Sequence, residues 1–560
     1  MTNIDRKRPM TPLINPDIMK TLLRSVSFTI ITLCLTLAAS AKPLNVLFIA
    51  VDDLNDWVGV FGGHPQAKTP NMDKLAKSDG GIIFDMAYCP ASVCGPSRSS
   101  LLSGIRPSNS GVYGNSNNMK LSPVLKDAET ISQYFSRHGY HSLSAGKIFH
   151  KHPNWSGMDE GQWAFDEWAH PIGRHGIKES FPLNKLPMSD GSPAKSKGKE
   201  FDWGPTVNPF EKTSDYASAK WAADQISTRD FDGKPFFLAL GISKPHLAWH
   251  VPQGFFDMHP LADVIVPEIH LDDLDDIIDA KGKKKFRPSE DFLRIQKYDK
   301  FKEVTQAYLA ACSYADACIG VTLDALFKSQ YKDNTIVVIW GDHGWFLGEK
   351  LKYRKTQLWE ESNRVPLIIH LPNNKSASTH TEAIVNLIDL YPTLAEYCGL
   401  PPKEGLDGRS FSAVLRKPDT QWENPALTTM GFKNHSLRGP RYRYSRYADG
   451  SEELYDHESD PMEWKNLATD PKMEAVIARF RPLLPKYDAS EMPKNDIDKK
   501  RMRRVMKRIN GMSKELKEQS EANKLDPVFV KKILLMTAVV AVGGCKIEHT
   551  AKNDHTQSFP

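Results

Sequence analysis

Cysteine is scarce in this sequence, with seven residues among 560. That number is too small for the fold to depend on a framework of disulfides. Cys312 and Cys318 share a predicted helix, but a separation of six residues places them about 240° apart around its axis. We therefore expect Cys89, Cys312, Cys318 and Cys398 to be buried, inert thiols. Cys94 has a different sequence context, described below.

A strong net charge and a series of long apolar segments are also lacking. The chain is 40% hydrophobic and 25% charged, which is ordinary globular composition. Its formal charge of +5 is small for this length, and much of the basic excess lies in residues 494–517. A protein with several membrane spans is not indicated, and neither is a nucleic-acid partner. A chain of this size normally buries a large core and divides into more than one domain.

The first 41 residues have the pattern of a secretory signal. Basic residues in 19–24 precede an apolar run at 26–38, and Ala39-Ser40-Ala41 fits a small-residue cleavage site. The apolar run is too short for a comfortable membrane span, although an uncleaved anchor is the alternative. We expect cleavage near Ala41 and a mature protein in the periplasm or outside the cell, with no stable membrane span.

The end of the chain has a second unusual segment. Residues 491–560 form a charged tail in which residues 530–545 resemble a bacterial lipoprotein signal, with a basic start, an apolar run and a cysteine. Such signals belong at an N-terminus, so fusion with a neighbouring reading frame is the favoured interpretation. An apolar tail that packs on the protein or touches a membrane is the alternative.

The middle of the chain predicts an α/β fold. Continuous apolar runs, typical of strands buried on both faces, occupy residues 44–51, 141–145, 235–241, 335–340 and 365–371. Helical spacing occurs in residues 130–138, 302–328 and 384–399. This alternation predicts a three-layer α/β domain over residues 42–416, with a large, mainly parallel sheet and a site where its strands end. Short aromatic-rich strands and a closing helix then predict a smaller antiparallel subdomain over residues 417–490.

The segment Cys94-Gly-Pro-Ser-Arg98 bears the most specific motif. It resembles the signature of type I sulfatases, cysteine-x-proline-x-arginine, in which a maturation enzyme oxidises the cysteine to formylglycine. The resemblance implies an alkaline-phosphatase-like fold and hydrolysis of sulfate esters by the hydrated formylglycine. A helix predicted from Ser97 would place this nucleophile at a positive helix end. The alternative is a buried cysteine that precedes a helix.

Two further motifs resemble the cation site of that family. Asp52-Asp53 and Asp342-His343 each follow a predicted strand. Their three carboxylates and one ring nitrogen, completed by the nucleophile at Cys94 and substrate oxygens, suit a hard cation. We expect one Ca²⁺, with Mg²⁺ as the less favoured ion. Taken alone, an aspartate pair after a strand is more often a helix cap.

The resemblance also assigns roles to five other residues. It implies that Lys147 and Lys355 hold sulfate oxygens, that His150 bonds to the formylglycine, and that His246 protonates the leaving alcohol. Arg98 would support the geometry of the nucleophile and the cation. The alternative for each lysine is a solvated surface residue.

Within the family, the order of motifs is most similar to the iduronate-2-sulfatase group. The similar blocks are residues 51–54, 146–150, 244–246 and 342–349, and the resemblance covers roughly residues 43–470. The sequence departs from the pattern in residues 154–203, 271–291 and 350–354. Those segments would shape the substrate pocket, which leaves the sugar open.

Several functions remain in competition. Phosphate and phosphonate monoester hydrolases share the layout of metal and nucleophile, and choline-sulfatase would need an aromatic or anionic cage for its substrate. A catalytically inactive polysaccharide-binding protein would lack a nucleophile or a ligand, and none is missing. The favoured substrate is a sulfated saccharide, such as a uronate 2-sulfate of a glycosaminoglycan or a sugar sulfate of algal ulvan. Arg441, Arg443 and Arg446 either meet substrate anions at the pocket rim or are exposed strand residues.

Overall fold

A computed structural model describes residues 43–492, except 118, 120, 121, 151–163, 170–182, 195–199 and 423. The predicted signal region and the charged tail lie outside these described residues, as does most of the departing segment 154–203.

An eight-stranded sheet forms the centre of the fold. Its strands are β1 (Asn45–Val51), β2 (Gly81–Phe84), β3 (His141–Gly146), β4 (Glu167–Trp168), β5 (Phe236–Ile242), β6 (Thr335–Gly341), β7 (Leu367–His370) and β8 (Thr379–Thr381). They lie in the order β8-β2-β7-β6-β1-β5-β3-β4. Only β7 is reversed, since it pairs antiparallel with both β2 and β6. The other pairs are parallel.

Apolar side chains on both faces of the sheet explain the continuous runs in the sequence. Every residue of β1 is buried, and alternate residues face opposite cores. Leu47, Ile49 and Val51 belong to one core, while Val46 and Phe48 belong to the other.

Helices cover both faces of the sheet. Those of seven residues or more are α1 (Pro70–Ala76), α2 (Cys94–Ser103), α3 (Ile131–Arg137), α4 (Ser214–Thr228), α5 (Glu290–Lys297), α6 (Phe301–Lys328), α7 (Leu390–Tyr397) and α8 (Glu474–Phe480). Helices α1, α4, α5 and α6 contribute to the first core, and α2, α3 and α7 contribute to the second. The predicted three-layer α/β fold is confirmed.

Helix α6 is, among the residues described, the one helix long and apolar enough to cross a membrane. In its most apolar stretch, 78% of the residues are buried inside the protein, so it is a core helix. It contains Cys312 and Cys318, which are free and buried, as is Cys89. Burial raises the pKa of the Cys312 thiol well above its ordinary value, as expected for an inert residue. Cys398 is free but only partly buried.

The C-terminal part contains a four-stranded antiparallel sheet, as predicted. Its strands are β9 (Ala426–Thr429), β10 (His435–Arg438), β11 (Tyr442–Arg446) and β12 (Glu452–Asp456), paired in that order. Tyr444 and Leu454 pack with Ile477 of α8. An isolated bridge between Ala91 and Thr429 joins this sheet to the chain just before Cys94.

Shorter elements complete the described chain. Paired strands are Ala87–Tyr88 with Val385–Asn386, Phe346–Leu347 with Tyr353–Arg354, and Trp203–Thr206 with Trp249–Pro252. Short helices are Pro107–Ser110, Gln253–Asp257, Glu360–Asn363 and Ser412–Arg416.

Two predicted helices have different bounds in the structure. The helix expected over residues 384–399 is only Leu390–Tyr397, because Val385–Asn386 pairs as a strand and Asn386 caps the turn that follows. The helix expected from Ser97 begins at Cys94, since Val93 is the last extended residue before it. Cys94 therefore lies in the first turn of α2.

Candidate active site

The predicted site residues meet at one edge of the central sheet. Asp52-Asp53 follow β1, Lys147 follows β3, His246 lies in the loop after β5, and Asp342-His343 follow β6. Since these four strands are parallel neighbours, their carboxyl ends lie side by side. The sheet topology thus brings together residues that are almost 300 positions apart in the chain.

Cys94 points into this cluster from the start of α2. Its Sγ lies 3.2 Å from His343 Nε2, 3.2 Å from Lys355 Nζ and 3.9 Å from Asp53 Oδ1. All residues of α2 are buried, Cys94 included. The adjacent amide of Gly95 donates to Asn115 Oδ1 over 2.7 Å. The thiol therefore lies at a helix N-terminus among cationic groups, an environment suited to an anionic substrate.

The carboxylates and His343 form a set of candidate metal ligands. Donor atoms of Asp52, Cys94, Asp342 and His343 lie within 4.8 Å of one another, and so do donor atoms of Asp52, Asp53, Cys94 and His246. The buried Asp53 Oδ2 has no hydrogen-bond partner within the part of the chain that the structure describes. A buried carboxylate oxygen without a donor is the environment that a cation would complete, so these residues fit a metal ion.

The orientation of His343 suits the same role. Its Nδ1 donates to the carbonyl of Gly344 over 3.0 Å, which directs Nε2 toward Asp53 Oδ1, 3.3 Å away. Burial alone would lower the pKa of His343, but the nearby Asp342 raises it to about 9. A metal ion at Nε2 would therefore have to displace a proton.

Arg98 joins the two aspartate motifs from the second turn of α2. Its Nε donates to Asp342 Oδ2 over 2.7 Å and its Nη2 to Asp52 Oδ1 over 3.3 Å. Its Nη1 donates to the carbonyls of Lys147 and Ile148. Because all three ion-pairing side chains are fully buried, Arg98 fixes the spacing between the ends of β1, β3 and β6.

Two lysines form part of the solvent-facing side of the cluster. Lys147 pairs with Asp52, and Lys355 pairs with Asp53 and contacts Cys94. Their side chains are 18% and 12% exposed, so a small part of each is open to solvent. Burial alone would raise the pKa of Asp52, but the positive charge of Lys147, followed by those of His246 and Arg98, holds it well below its ordinary value.

The two predicted histidines are both partly buried. His246 is 39% exposed, and its Nε2 is 3.8 Å from Asp53 Oδ2, while its Nδ1 donates to the carbonyl of Leu247. Burial lowers the pKa of His246 to about 4, against the opposing charge of Asp53. Burial, together with the positive charge of Lys147, lowers the pKa of His150 to about 2. Its buried Nδ1 has no partner among the described residues.

Comparison with known proteins identifies the family of the chain. The sequence model of the sulfatase family matches residues 44–400. A protein of Formosa agariphila named sulfatase is 36% identical over 461 residues, which are 80% of this chain and 87% of that protein. The chain belongs to the sulfatase family. It is a sulfuric ester hydrolase, which removes the inactive binding protein from the alternatives.

More distant relatives agree with this assignment. Iduronate 2-sulfatase of Mus musculus is 27% identical over 553 residues, covering 82% of this chain and 98% of the mouse protein, which confirms the resemblance to that group. The model described as N-sulphoglucosamine sulphohydrolase, C-terminal, matches residues 341–490. The crystal structure of phosphonate monoester hydrolase from Agrobacterium radiobacter has a TM-score of 0.63 at 20% identity, covering 79% of this chain and 94% of its own. That likeness shows a shared fold.

The candidate site also includes residues that the sequence did not single out. Tyr308 of α6 donates its hydroxyl to the carbonyl of Asp53 and accepts from the amide of Asn55. These bonds hold Asp53 in its left-handed conformation, with φ of 62°. Ser97 donates to the carbonyl of Asp342 over 2.5 Å. Tyr308 lies within a helix of ordinary apolar spacing, so no sequence signal distinguished it from a core residue.

The three arginines of β11 and the preceding turn are neither all at a rim nor all exposed. Arg443 is almost fully buried and pairs with Glu360 and Glu463. Arg441 pairs with Asp456 and Glu458. The idea that all three meet substrate is wrong for Arg443, whose charge is satisfied inside the protein.

Proposed function

We propose that this sulfatase removes sulfate from sulfated carbohydrate, with formylglycine at position 94 as the nucleophile and Ca²⁺ as its cation. The observation that carries the proposal is the position of Cys94, a buried thiol at a helix start within 4 Å of His343, Lys355 and Asp53. Cationic groups and candidate metal ligands around a thiol are typical of a reactive cysteine and are not required around a structural one.

The modified side chain would supply two oxygens at this position. Hydrated formylglycine offers one hydroxyl that attacks sulfur and a second whose oxygen re-forms the aldehyde when sulfate is released. Among the protein's own groups, Lys355 would hold a negative oxygen at position 94 and Arg98 would keep the helix in register with Asp52 and Asp342. A formylglycine-generating maturation enzyme is the partner that this chemistry requires.

The choice of calcium follows from the ligand chemistry. Asp52, Asp53 and Asp342 supply hard oxygen ligands and His343 supplies one nitrogen. Bound there, the cation would favour the ionised nucleophile and neutralise charge on the sulfuryl group. Magnesium is the second candidate.

The lysines and His246 suit sulfate binding and proton transfer. Lys147 and Lys355 would bind the sulfuryl oxygens, where negative charge develops in the transition state. The side chain of His246 is 39% exposed and would donate a proton to the leaving sugar oxygen. With a pKa of about 4 in the free protein, it would be protonated for this step only once the anionic substrate raises its pKa. His150 would bond to the modified side chain.

The substrate is proposed from the relatives and the sequence. Mouse iduronate 2-sulfatase aligns over 82% of this chain, which supports a uronate 2-sulfate as the substrate. Sugar sulfates of ulvan are a second carbohydrate class. A secretory signal before Ala41 would place the enzyme in the periplasm or outside the cell, where such polysaccharides are met.

Choline-sulfatase and phosphonate monoester hydrolase are the remaining alternatives, since a choline-sulfatase is similar in sequence and a phosphonate monoester hydrolase shares the fold. A panel of defined sulfated oligosaccharides, choline sulfate and a phosphonate monoester separates all three with one purified enzyme. The proposal expects kcat/KM at least about 100-fold higher for one sugar sulfate than for the other two classes. Peptide mass spectrometry of the same preparation should show the aldehyde or its hydrate at position 94. Full activity with only unmodified cysteine there would refute the mechanism.

A further inference from the structure

Lys355 lies at the end of a segment with an unusual backbone. In residues 350–356, which we call the lysine arm, Lys350, Leu351, Arg354 and Thr356 all have left-handed φ angles between 50° and 76°. A non-glycine residue in this backbone conformation is strained and persists only where surrounding contacts hold it. The lysine arm therefore needs a source of restraint close to the active site.

Residues 271–291, which we call the anchor loop, provide that restraint. Three alternate cations of the lysine arm donate to it: Lys350 to Asp273 over 2.6 Å, Lys352 to the carbonyl of Arg287 over 2.5 Å, and Arg354 to Asp291.

Backbone contacts join the same two segments. The amide of Ser289 donates to the carbonyl of Leu351 over 2.9 Å, and the amide of Tyr353 donates to Ser289 Oγ over 3.2 Å. Each residue from 350 to 354 is thus bonded to the anchor loop. The next residue, Lys355, instead reaches Asp53 and Cys94, and the amide of Thr356 donates to the carbonyl of Ser92. The arm therefore spans from the anchor loop to the nucleophile.

The anchor loop is itself fixed in the protein. Leu274 and Ile277 are buried in the core on one face of the sheet, and Ser289 caps α5. The Lys350 and Asp273 side chains are only 2% and 3% exposed. A buried ion pair of this kind contributes little net stability, because desolvation offsets the attraction. Its directional bonds nevertheless fix where the lysine arm begins.

We propose that Lys350, held by Asp273, is a positioning residue that sets the reach of Lys355 toward the sulfate group. The proposal rests on the role given to Lys355 under the proposed function. It assigns a purpose to residues 271–291 and 350–354, which both depart from the family pattern and which contact each other in the structure. Variation in the anchor loop would then tune sulfate binding without any contact with sulfate.

A double-mutant cycle with Lys350→Met and Lys355→Ala tests this. The readouts are kcat and KM on the preferred sugar sulfate and the inhibition constant of inorganic sulfate. We expect Lys350→Met to lower kcat by ~10–100-fold and to weaken sulfate inhibition, because a displacement of about 1 Å at a catalytic contact has effects of that size. In the Lys355→Ala background, Lys350→Met should change kcat by less than about twofold, because the residue it acts through is gone.

Lys284→Met is the matched control. Lys284 lies in the anchor loop and pairs with Asp275 of the same loop, with 60% of its side chain exposed, and its loss should leave all three constants unchanged. If Lys350→Met does not fold, Arg354→Met carries the same cycle, because its ion pair with Asp291 is partly exposed.

Three results would overturn the proposal. Losses that multiply in the double variant would show that Lys350 acts independently of Lys355. A fall in kcat with unchanged sulfate inhibition would show a general structural role. Wild-type kcat and sulfate inhibition in Lys355→Ala would refute the role of Lys355 itself, which is a failure of the proposed function and is seen in the single variant.

Discussion

Replacement of Arg98 by methionine should lower the free energy of unfolding more in the absence of calcium than in its presence. Arg98 neutralises Asp52 and Asp342 where all three side chains are fully buried. Lys147 still pairs with Asp52 in the variant, whereas Asp342 loses its ion-pair donor on Oδ2. Removal of one partner from a buried pair typically costs ~3–5 kcal/mol, because the remaining charge loses its strongest partner. His343 Nε2, 3.6 Å from Asp342 Oδ1, is the cationic group that remains beside Asp342.

A bound cation should reduce that cost. Asp342 belongs to the candidate ligand set, so Ca²⁺ would supply the positive charge that Arg98→Met removes. We expect the variant to lose about 3–5 kcal/mol of unfolding free energy in chelator and less in excess calcium. The measurement is urea unfolding of wild type and variant under both conditions at one pH.

Arg416→Met is the control for loss of an arginine ion pair. Arg416 pairs with Glu396, and both side chains are at least half exposed, so its replacement should cost no more than about 1 kcal/mol in either condition. If Arg98→Met unfolds at the wild-type urea concentration in chelator, the buried-charge reasoning is wrong. An equal loss with and without calcium would show that Asp342 does not bind the ion.

Three further outcomes are expected. Cys94→Ala and Cys94→Ser should both fold, as judged by circular dichroism, and both should lose turnover. Serine cannot replace the nucleophile because it lacks the second hydroxyl, so full activity of the serine variant would contradict formylglycine chemistry. Chelation should abolish activity and calcium should restore it. The affinity for calcium should rise as the pH approaches about 9, because His343 loses its proton there. Turnover in a metal-free preparation, or a calcium affinity that does not change with pH, would contradict this. His246→Ala should lower turnover of a sugar sulfate by ~10²–10⁴-fold and lower turnover of an activated aryl sulfate much less. Lys147→Ala should lower turnover of both substrates to a similar extent. Equal losses for the two substrates in His246→Ala would show that another residue is the general acid.

The sequence was most informative where a strand ends in polar residues. The all-apolar run of β1 predicts a strand buried on both faces, and its abrupt end in Asp52-Asp53 places those carboxylates at the sheet edge. The same reasoning holds for β6 and Asp342-His343. Parallel order then brings both pairs together.

Tertiary contacts between distant segments were beyond prediction. Arg443 lies in a strand whose local pattern suits an exposed charge, but Glu360 and Glu463 meet it from elsewhere in the chain and bury it. Lys350 has the sequence context of a surface lysine, but Asp273 of the anchor loop packs against it and forms a buried ion pair with it. The left-handed backbone of Asp53 likewise depends on Tyr308 of α6.

The complete burial of Cys94 limits the time at which a maturation enzyme could modify it. In the folded enzyme the thiol has no accessible surface, so a maturation enzyme would have to act before the core closes around it. His343, which covers Sγ, is synthesised 249 residues after Cys94. At the usual ~5–20 residues per second, roughly ten to fifty seconds pass between the two. Modification would therefore have that interval before the site can close, and a chain that folds around an unmodified Cys94 would stay inactive.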